Sequence, residues 1–158
     1  MKLQIGRFRE SDLDTVFALQ RAAYRPLYEK YRDDDTNPYM ESRESVLAKY
    51  TRPGTQGYIF LLDGEPVGAV RVILRDEGKS AKISALCVLP ACQGRGVAQE
   101  AMKAIEGMYP EVTVWRLDTI AQEAGNCHLY EKLGYVRTGR TEQVNDRLTL
   151  VFYEKTIP

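Results

Sequence analysis

The most informative part of this sequence is a glycine-rich turn, Leu89-Pro90-Ala91-Cys92-Gln93-Gly94-Arg95-Gly96-Val97-Ala98. It follows an apolar run and precedes a helical pattern, and its glycines permit positive φ and close backbone approach. The first N–H groups of a helix have no partners within the helix and lie at the positive end of its dipole. The turn therefore predicts a pyrophosphate site, to which Arg95 could add a charge-assisted hydrogen bond.

The spacing of the glycines separates this turn from two other phosphate loops. It is not the G-x-x-x-x-G-K-[ST] of a P-loop. It is also not a G-x-G-x-x-G turn followed by an acidic ribose-binding residue about twenty positions later. Both the P-loop and the Rossmann interpretation are therefore disfavoured.

Outward from the turn, periodicity and turn residues predict a mixed α/β sheet protein in the order β-α-α-β-β-β-α-β-α-β-β. Ser11 is expected to cap the first helix, which reaches Tyr24 and is restarted or kinked by Pro26. Asp63-Gly64-Glu65 predicts a hairpin turn. The other predicted elements are strands at 5–8, 58–62, 66–74, 81–89, 112–118, 135–141 and 148–154, and helices at 42–50, 97–108 and 124–133. The run 81–89 is expected to be buried on both faces.

Bulk properties favour one ordinary globular domain spanning residues 1–158. Apolar residues make up 44% of the chain and charged residues 28%, and 22 Lys plus Arg balance 22 Asp plus Glu. The zero net charge argues against nucleic acid as a partner. With no apolar run of eighteen residues and no leader pattern, we expect no membrane span and a cytoplasmic location. Three cysteines without a ligand spacing predict reduced thiols and no metal: Cys87, Cys92 and Cys127.

Two segments together resemble the GCN5-related N-acetyltransferase (GNAT) family. Gln93-Gly94-Arg95-Gly96-Val97-Ala98 is similar to the family's acyl-CoA signature, [Q/R]-x-x-G-x-[G/A]. Asn126-Cys127-His128-Leu129-Tyr130-Glu131-Lys132-Leu133-Gly134-Tyr135 is similar to its N-x-x-[small or apolar]-x-[F/Y]-Y-x-K-x-G-F ending, compressed at its start. The resemblance implies the GNAT fold and acetyl-CoA as co-substrate, with no metal.

The same resemblance implies roles for particular residues. The backbone of Leu86 and Val88 would bond the pantetheine arm and the thioester carbonyl, in a gap between the fourth and fifth strands. The turn residues would hold the pyrophosphate, and Asn126 would contact CoA. Tyr130 would protonate the departing thiolate, although it could instead only pack against the cofactor and orient the sulfur.

Other groups around this site are open to more than one interpretation. At 100° per residue, His128 points about 160° away from Tyr130, which favours a surface role over a general base. Asp118 or Glu123 could accept the amine proton through water, or water alone could do so. The segment 24–35 is expected to wall the acceptor pocket, where its aromatic and acidic residues would suit a cationic amine.

The predicted function is direct transfer of acetyl from acetyl-CoA to a primary amine, with a small molecule as the acceptor. Acetylation of a protein lysine or N-terminus is an alternative within the family. A CoA-binding module without turnover is an alternative of another class. The resemblance also implies a homodimer through the last strands, an arrangement common in that family.

Overall fold

The computed structural model describes residues 2–158, and its centre is a seven-stranded mixed sheet in the order β1-β2-β3-β4-β5-β7-β6. The strands are β1 (Leu3–Arg7), β2 (Thr55–Leu62), β3 (Glu65–Arg75), β4 (Ser80–Val88), β5 (Val114–Ile120), β6 (Val136–Gln143) and β7 (Thr149–Thr156). The helices are α1 (Leu13–Tyr31), α2 (Arg43–Tyr50), α3 (Val97–Met108) and α4 (Ala124–Lys132). This architecture and its element order confirm the prediction.

Successive side chains along each strand point to opposite faces of the sheet, and both faces are buried. Ile59, Ala69 and Cys87 contribute to the cluster that also contains the apolar residues of α1 and α2. Tyr58, Phe60 and their neighbours belong to the cluster that contains residues of α3 and α4. Helices thus cover both faces, and the central strands are held between them.

The hairpin between β2 and β3 forms as predicted, with both Asp63 and Gly64 at positive φ. Two positive values suit the right-handed twist of the strands that the turn connects. The predicted cap of α1 is wrong. Residues Glu10–Asp12 form a 3-10 turn, in which the Arg9 N–H donates to Asp12 Oδ2 at 2.8 Å, and α1 begins one residue later.

Pro26 does not interrupt α1, which continues to Tyr31. Proline removes one helical hydrogen bond. That loss is offset because buried residues anchor the helix on both sides of it, Ala23 before and Tyr31 after. The helix ends at Arg32, which takes a left-handed conformation and donates its N–H to the Tyr28 carbonyl at 2.8 Å.

The decisive irregularity of the sheet lies between β4 and β5. These neighbours are parallel, and they pair only over Ser80–Lys82 and Val114–Arg116. Ala85 adopts φ 51°, and the register between β3 and β4 shifts there. Beyond that bulge β4 leads away from β5, so its middle residues, Ser84 to Leu86, are only half-buried. The expectation that 81–89 is buried on both faces is wrong for this part.

Gly68 offers a test of the packing between β3 and β4. A Cβ at Gly68 would lie 2.3 Å from the Cys87 carbonyl oxygen and 2.8 Å from Phe60 Cδ2. We expect Gly68→Ala to lower the free energy of unfolding by about 1–3 kcal/mol, the usual cost of overpacking, in urea titrations. Gly107→Ala is the control, because nothing lies within 4 Å of that Cβ, and it should stabilise α3 by up to about 1 kcal/mol. Equal effects of the two substitutions would contradict this packing.

Candidate active site

A cavity of about 1050 Å³ opens where β4 and β5 separate. One part of its wall consists of β4, the glycine-rich turn, the start of α3 and the exposed side of α4. The opposite part consists of α1, the segment that connects α1 to α2, and β3. All of the predicted site residues line this single cavity: Leu86, Val88, Gln93, Gly94, Arg95, Gly96, Val97, Ala98, Asn126 and Tyr130.

The end of β4 presents backbone groups to the gap. The Leu89 N–H donates to the Val67 carbonyl on β3 at 2.8 Å, so by the alternation of a strand the N–H and C=O of Val88 point away from β3. Gln93 Nε2 donates to the Val88 carbonyl at 3.0 Å. The Gln93 side chain therefore braces this strand end, and the Val88 N–H is the group left facing the gap.

Leu86 is held from the other side of the cavity. Its carbonyl accepts a hydrogen bond of 2.7 Å from the Tyr24 hydroxyl, which fixes α1 to the edge of β4. Burial raises the pKa of Tyr24, with smaller contributions from the nearby Cys87, Tyr130 and Tyr50, so Tyr24 remains a neutral donor. Sequence analysis placed Tyr24 in the acceptor wall but gave no sign of this contact, because it joins residues 62 positions apart.

The turn before α3 has the backbone that a phosphate site needs. Gly94 has φ 76° and Gly96, the residue that precedes α3, has φ 82°. A Cβ at either glycine would meet nothing within 4 Å, so the space in front of this backbone is open. Val97 is buried and fixes the first turn of α3, whereas the Arg95 side chain is exposed.

Tyr130 is 8% exposed, and its ring packs against the rings of Tyr135 and Tyr153 with centroid distances of 6.1 and 6.3 Å. Within residues 2–158 its hydroxyl makes no hydrogen bond. Burial raises the pKa of Tyr130, and the charge of the Asp118 carboxylate adds to the shift. The hydroxyl is therefore protonated at neutral pH, and the residue borders the cavity.

The two carboxylates considered as bases lie in different settings. Asp118 borders the cavity at the point where the strands separate, and its Oδ2 lies 3.4 Å from Lys82 Nζ. Glu123 is not among the lining residues. Its carboxylate accepts hydrogen bonds from Lys30, at 2.8 Å, and from Tyr31. Burial alone would raise the pKa of Glu123, but these two hydrogen bonds outweigh it and lower the pKa.

Asn126 and His128 are exposed residues of α4 at the border of the cavity. Cys127, between them, is buried and directs its Sγ to the carbonyls of Ile120 and Ala121 at 3.7 and 3.9 Å. The exposure of His128 agrees with the predicted surface position.

The side of the cavity that was predicted to bind the acceptor includes residues that sequence analysis missed. From the predicted segment 24–35 it contains Tyr24, Leu27 and Asp33, whereas Tyr28 and Tyr31 do not line it. Glu41, Lys49 and Arg71 also line it and were not predicted. One signal was present for Arg71, which is the only charged residue in the apolar run Pro66 to Leu74.

All three cysteines are free thiols, and burial raises the pKa of Cys87 to about 12. Across residues 2–158, no group of three or more His, Cys, Asp or Glu side chains is placed to hold a metal ion. In the described part of the chain, no helix combines the length and apolar character needed to cross a membrane.

Comparison with known proteins now identifies the class. The model of the acetyltransferase (GNAT) family matches residues 16–135, so the chain belongs to that family. The uncharacterized protein YrkN of Bacillus subtilis (strain 168) is 30% identical over 129 residues, which are 80% of this chain and 69% of that protein.

Solved structures share the fold at lower identity. The spermidine N-acetyltransferase of Vibrio cholerae, in complex with CoA and spermine, superposes with a TM-score of 0.76 at 19% identity, over 98% of this chain and 95% of that one. The ribosomal-protein-S18-alanine N-acetyltransferase of Escherichia coli gives a TM-score of 0.78 at 15% identity, over 99% of this chain and 94% of that one. The fold is therefore shared by acetyltransferases of small amines and of proteins.

Thiol reactivity tests the burial of the cavity wall. Cys92 is partly exposed, whereas Cys87 and Cys127 are buried. Because the thiolate is the reactive species, a buried thiol with a pKa of about 12 should react very slowly at pH 8. With Ellman's reagent we expect one thiol to react fast in the folded protein and none in folded Cys92→Ser. All three thiols should react fast in the unfolded wild type. A fast equivalent from folded Cys92→Ser would contradict the arrangement.

Proposed function

We propose that the chain is an acetyl-CoA-dependent N-acetyltransferase that acetylates a primary amine of a small molecule, with residues 1–158 acting as one catalytic domain. The observation that carries this proposal is the convergence of three features on one cavity. These are the unpaired end of β4, the open glycine-rich turn before α3, and the buried, protonated Tyr130.

The residues present fit acetyl-CoA as co-substrate. The Val88 N–H faces the gap without a strand partner there and could donate to the thioester carbonyl or to an amide of the pantetheine arm. The Leu86 and Val88 carbonyls already accept from Tyr24 and Gln93, so in our proposal N–H groups are the main contribution of this edge. The open N–H groups from Gly94 to Ala98 at the start of α3 suit the pyrophosphate.

Acetyl-CoA supplies an activated acetyl group and a thiolate leaving group. In our proposal the Val88 N–H stabilises negative charge on the carbonyl oxygen as the amine attacks. Tyr130 then gives its phenolic proton to the thiolate sulfur. The raised pKa keeps that proton in place before transfer, and bulk water restores it afterwards.

The attacking amine must lose a proton, and we propose that water in the cavity accepts it. Of the two carboxylates considered from the sequence, Asp118 borders the cavity, whereas Glu123 is occupied by Lys30 and Tyr31. Asp118 is therefore the carboxylate that such water would contact. His128 is exposed and is given no role in this step.

The shape of the acceptor side favours a small molecule over a protein chain. The segment between α1 and α2 covers this side, and its Asp33 and Asn37 are buried. Asn37 Nδ2 donates to Asp33 Oδ1 at 3.0 Å, which ties the segment together. Binding pockets for small ligands commonly have volumes of about 300–1,000 Å³, so a cavity of about 1050 Å³ suits an acyl-CoA arm with a compact acceptor.

Tyr130→Phe tests the proposed chemistry. Loss of the phenolic proton should lower kcat for amine-dependent thiol release by about tenfold or more, the range of general acid catalysis. The dissociation constant for CoA should change by less than about threefold, since the ring and its packing on Tyr135 and Tyr153 remain. Stopped assays of thiol release and calorimetric titration of CoA measure the two quantities.

Tyr50→Phe is the matched control, because it also removes one tyrosine hydroxyl that has no hydrogen-bond partner, and Tyr50 does not line the cavity. An equal loss of kcat in both variants would assign the effect to folding. CoA binding without acetylation of any amine or peptide would favour a non-catalytic CoA-binding module. Acetylation of peptides alone would favour a protein acceptor.

A further inference from the structure

Arg71 on β3 is a buried cation that faces the cavity. It is 8% exposed and lies in the acceptor wall. Its Nη2 donates to Ser84 Oγ at 3.1 Å, and its guanidinium carbon lies 5.9 Å from the centroid of the Tyr50 ring. Within residues 2–158 no carboxylate oxygen lies within 4.0 Å of the guanidinium. A guanidinium carries five N–H donors, so most of its capacity is unused.

The acidic side chains of the same wall are committed elsewhere. Glu41 accepts hydrogen bonds from Gln20 at 3.1 Å and from Ser45 at 2.8 Å, and it pairs with Lys49 at 2.9 Å. Asp33 accepts from Asn37 and from Thr36, both at 3.0 Å. Neither carboxylate supplies the bidentate contact that a buried guanidinium requires.

The positively charged side chains of this wall differ in whether they form an ion pair. Lys49 is paired with Glu41, and Lys82 is paired with Asp118. Arg71 makes no such ion pair. Glu41 is near enough to interact electrostatically with Arg71, but it lies beyond salt-bridge distance. A buried charge without a direct partner is costly. Arg71 borders the cavity, so its remaining donors are available to a molecule bound there.

We propose that the acceptor carries a carboxylate near its primary amine and that Arg71, supported by Ser84, binds this carboxylate. This inference rests on the proposed function and narrows its substrate class to amino acids and similar amines. A planar guanidinium matches a carboxylate in a bidentate, charge-assisted pair. Polyamines, which bring only positive charge, would meet Arg71 with repulsion.

The test uses acceptors in matched pairs that differ only in the carboxylate. L-Amino acids, β-alanine and 4-aminobutyrate are each assayed beside their amides, with spermidine as a cationic acceptor. For the wild type we expect kcat/KM at least about tenfold higher for the preferred carboxylate than for its amide. In Arg71→Gln, kcat/KM should fall about 10- to 100-fold for the carboxylate, the range for a charged hydrogen-bonded contact. For the amide it should fall less than about threefold. Arg71→Lys should recover part of the loss.

Two controls separate recognition from folding. Arg21→Gln removes a positive charge from a residue that does not line the cavity and instead lies 4.4 Å over the Tyr39 ring, so it should leave the carboxylate preference unchanged. Melting temperature and CoA affinity are measured for each variant. If Arg71→Gln does not fold, the comparison is made with Arg71→Lys.

The outcomes also distinguish this inference from the proposed function. If amides or spermidine are acetylated with the same kcat/KM as the carboxylates, the role of Arg71 is overturned and the transferase stays intact. Equal losses of kcat/KM in Arg71→Gln for both members of a pair would have the same meaning. If no amine is acetylated, the CoA-saturated protein is titrated with N-acetyl-L-amino acids and their amides. Binding of the carboxylates that Arg71→Gln abolishes would support the subsite alone, whereas equal or absent binding would overturn it.

Discussion

The proposed site depends on the early end of the pairing between β4 and β5. Two parallel neighbours in a sheet normally continue to share hydrogen bonds, but here they share them only from Ser80 to Lys82 on β4. The bulge at Ala85 then directs the rest of β4 away. The separation creates the cavity, leaves the Val88 N–H without a strand partner on that side, and brings the end of β4 directly into the glycine-rich turn.

The two sides of the cavity are built in different ways. The side proposed for CoA is made mostly of backbone from one continuous segment, so its form depends on φ angles such as those of Gly94 and Gly96. The side proposed for the acceptor is made of side chains from α1, β3 and the segment that connects α1 to α2. The hydrogen bond from Tyr24 to Leu86 joins the two sides. In our proposal, substitutions on the second side would change the acceptor while the first side stays as it is.

The same difference determines how much the sequence could predict. The element order and the turn before α3 follow from local periodicity and glycine placement, and both were predicted. The cap at Ser11 was wrong because the Asp12 carboxylate accepts a hydrogen bond from the Arg9 N–H. The helix end at Tyr24 was wrong because burial on either side of Pro26 overrides local preference. The setting of Arg71 was missed because its partners come from β4 and α2. The roles of Tyr130 and Asn126 remain predictions from the resemblance.

The central claim is that the separated end of β4 and the turn after it form the CoA site. The most direct measurement is residue-resolved amide hydrogen exchange by NMR, with and without saturating CoA. The account predicts slower exchange of the Val88 amide and of the amides from Gly94 to Ala98, because each would gain an acceptor, with little change in β6 and β7. Protection confined to other strands, or no protection at saturating CoA, would contradict it.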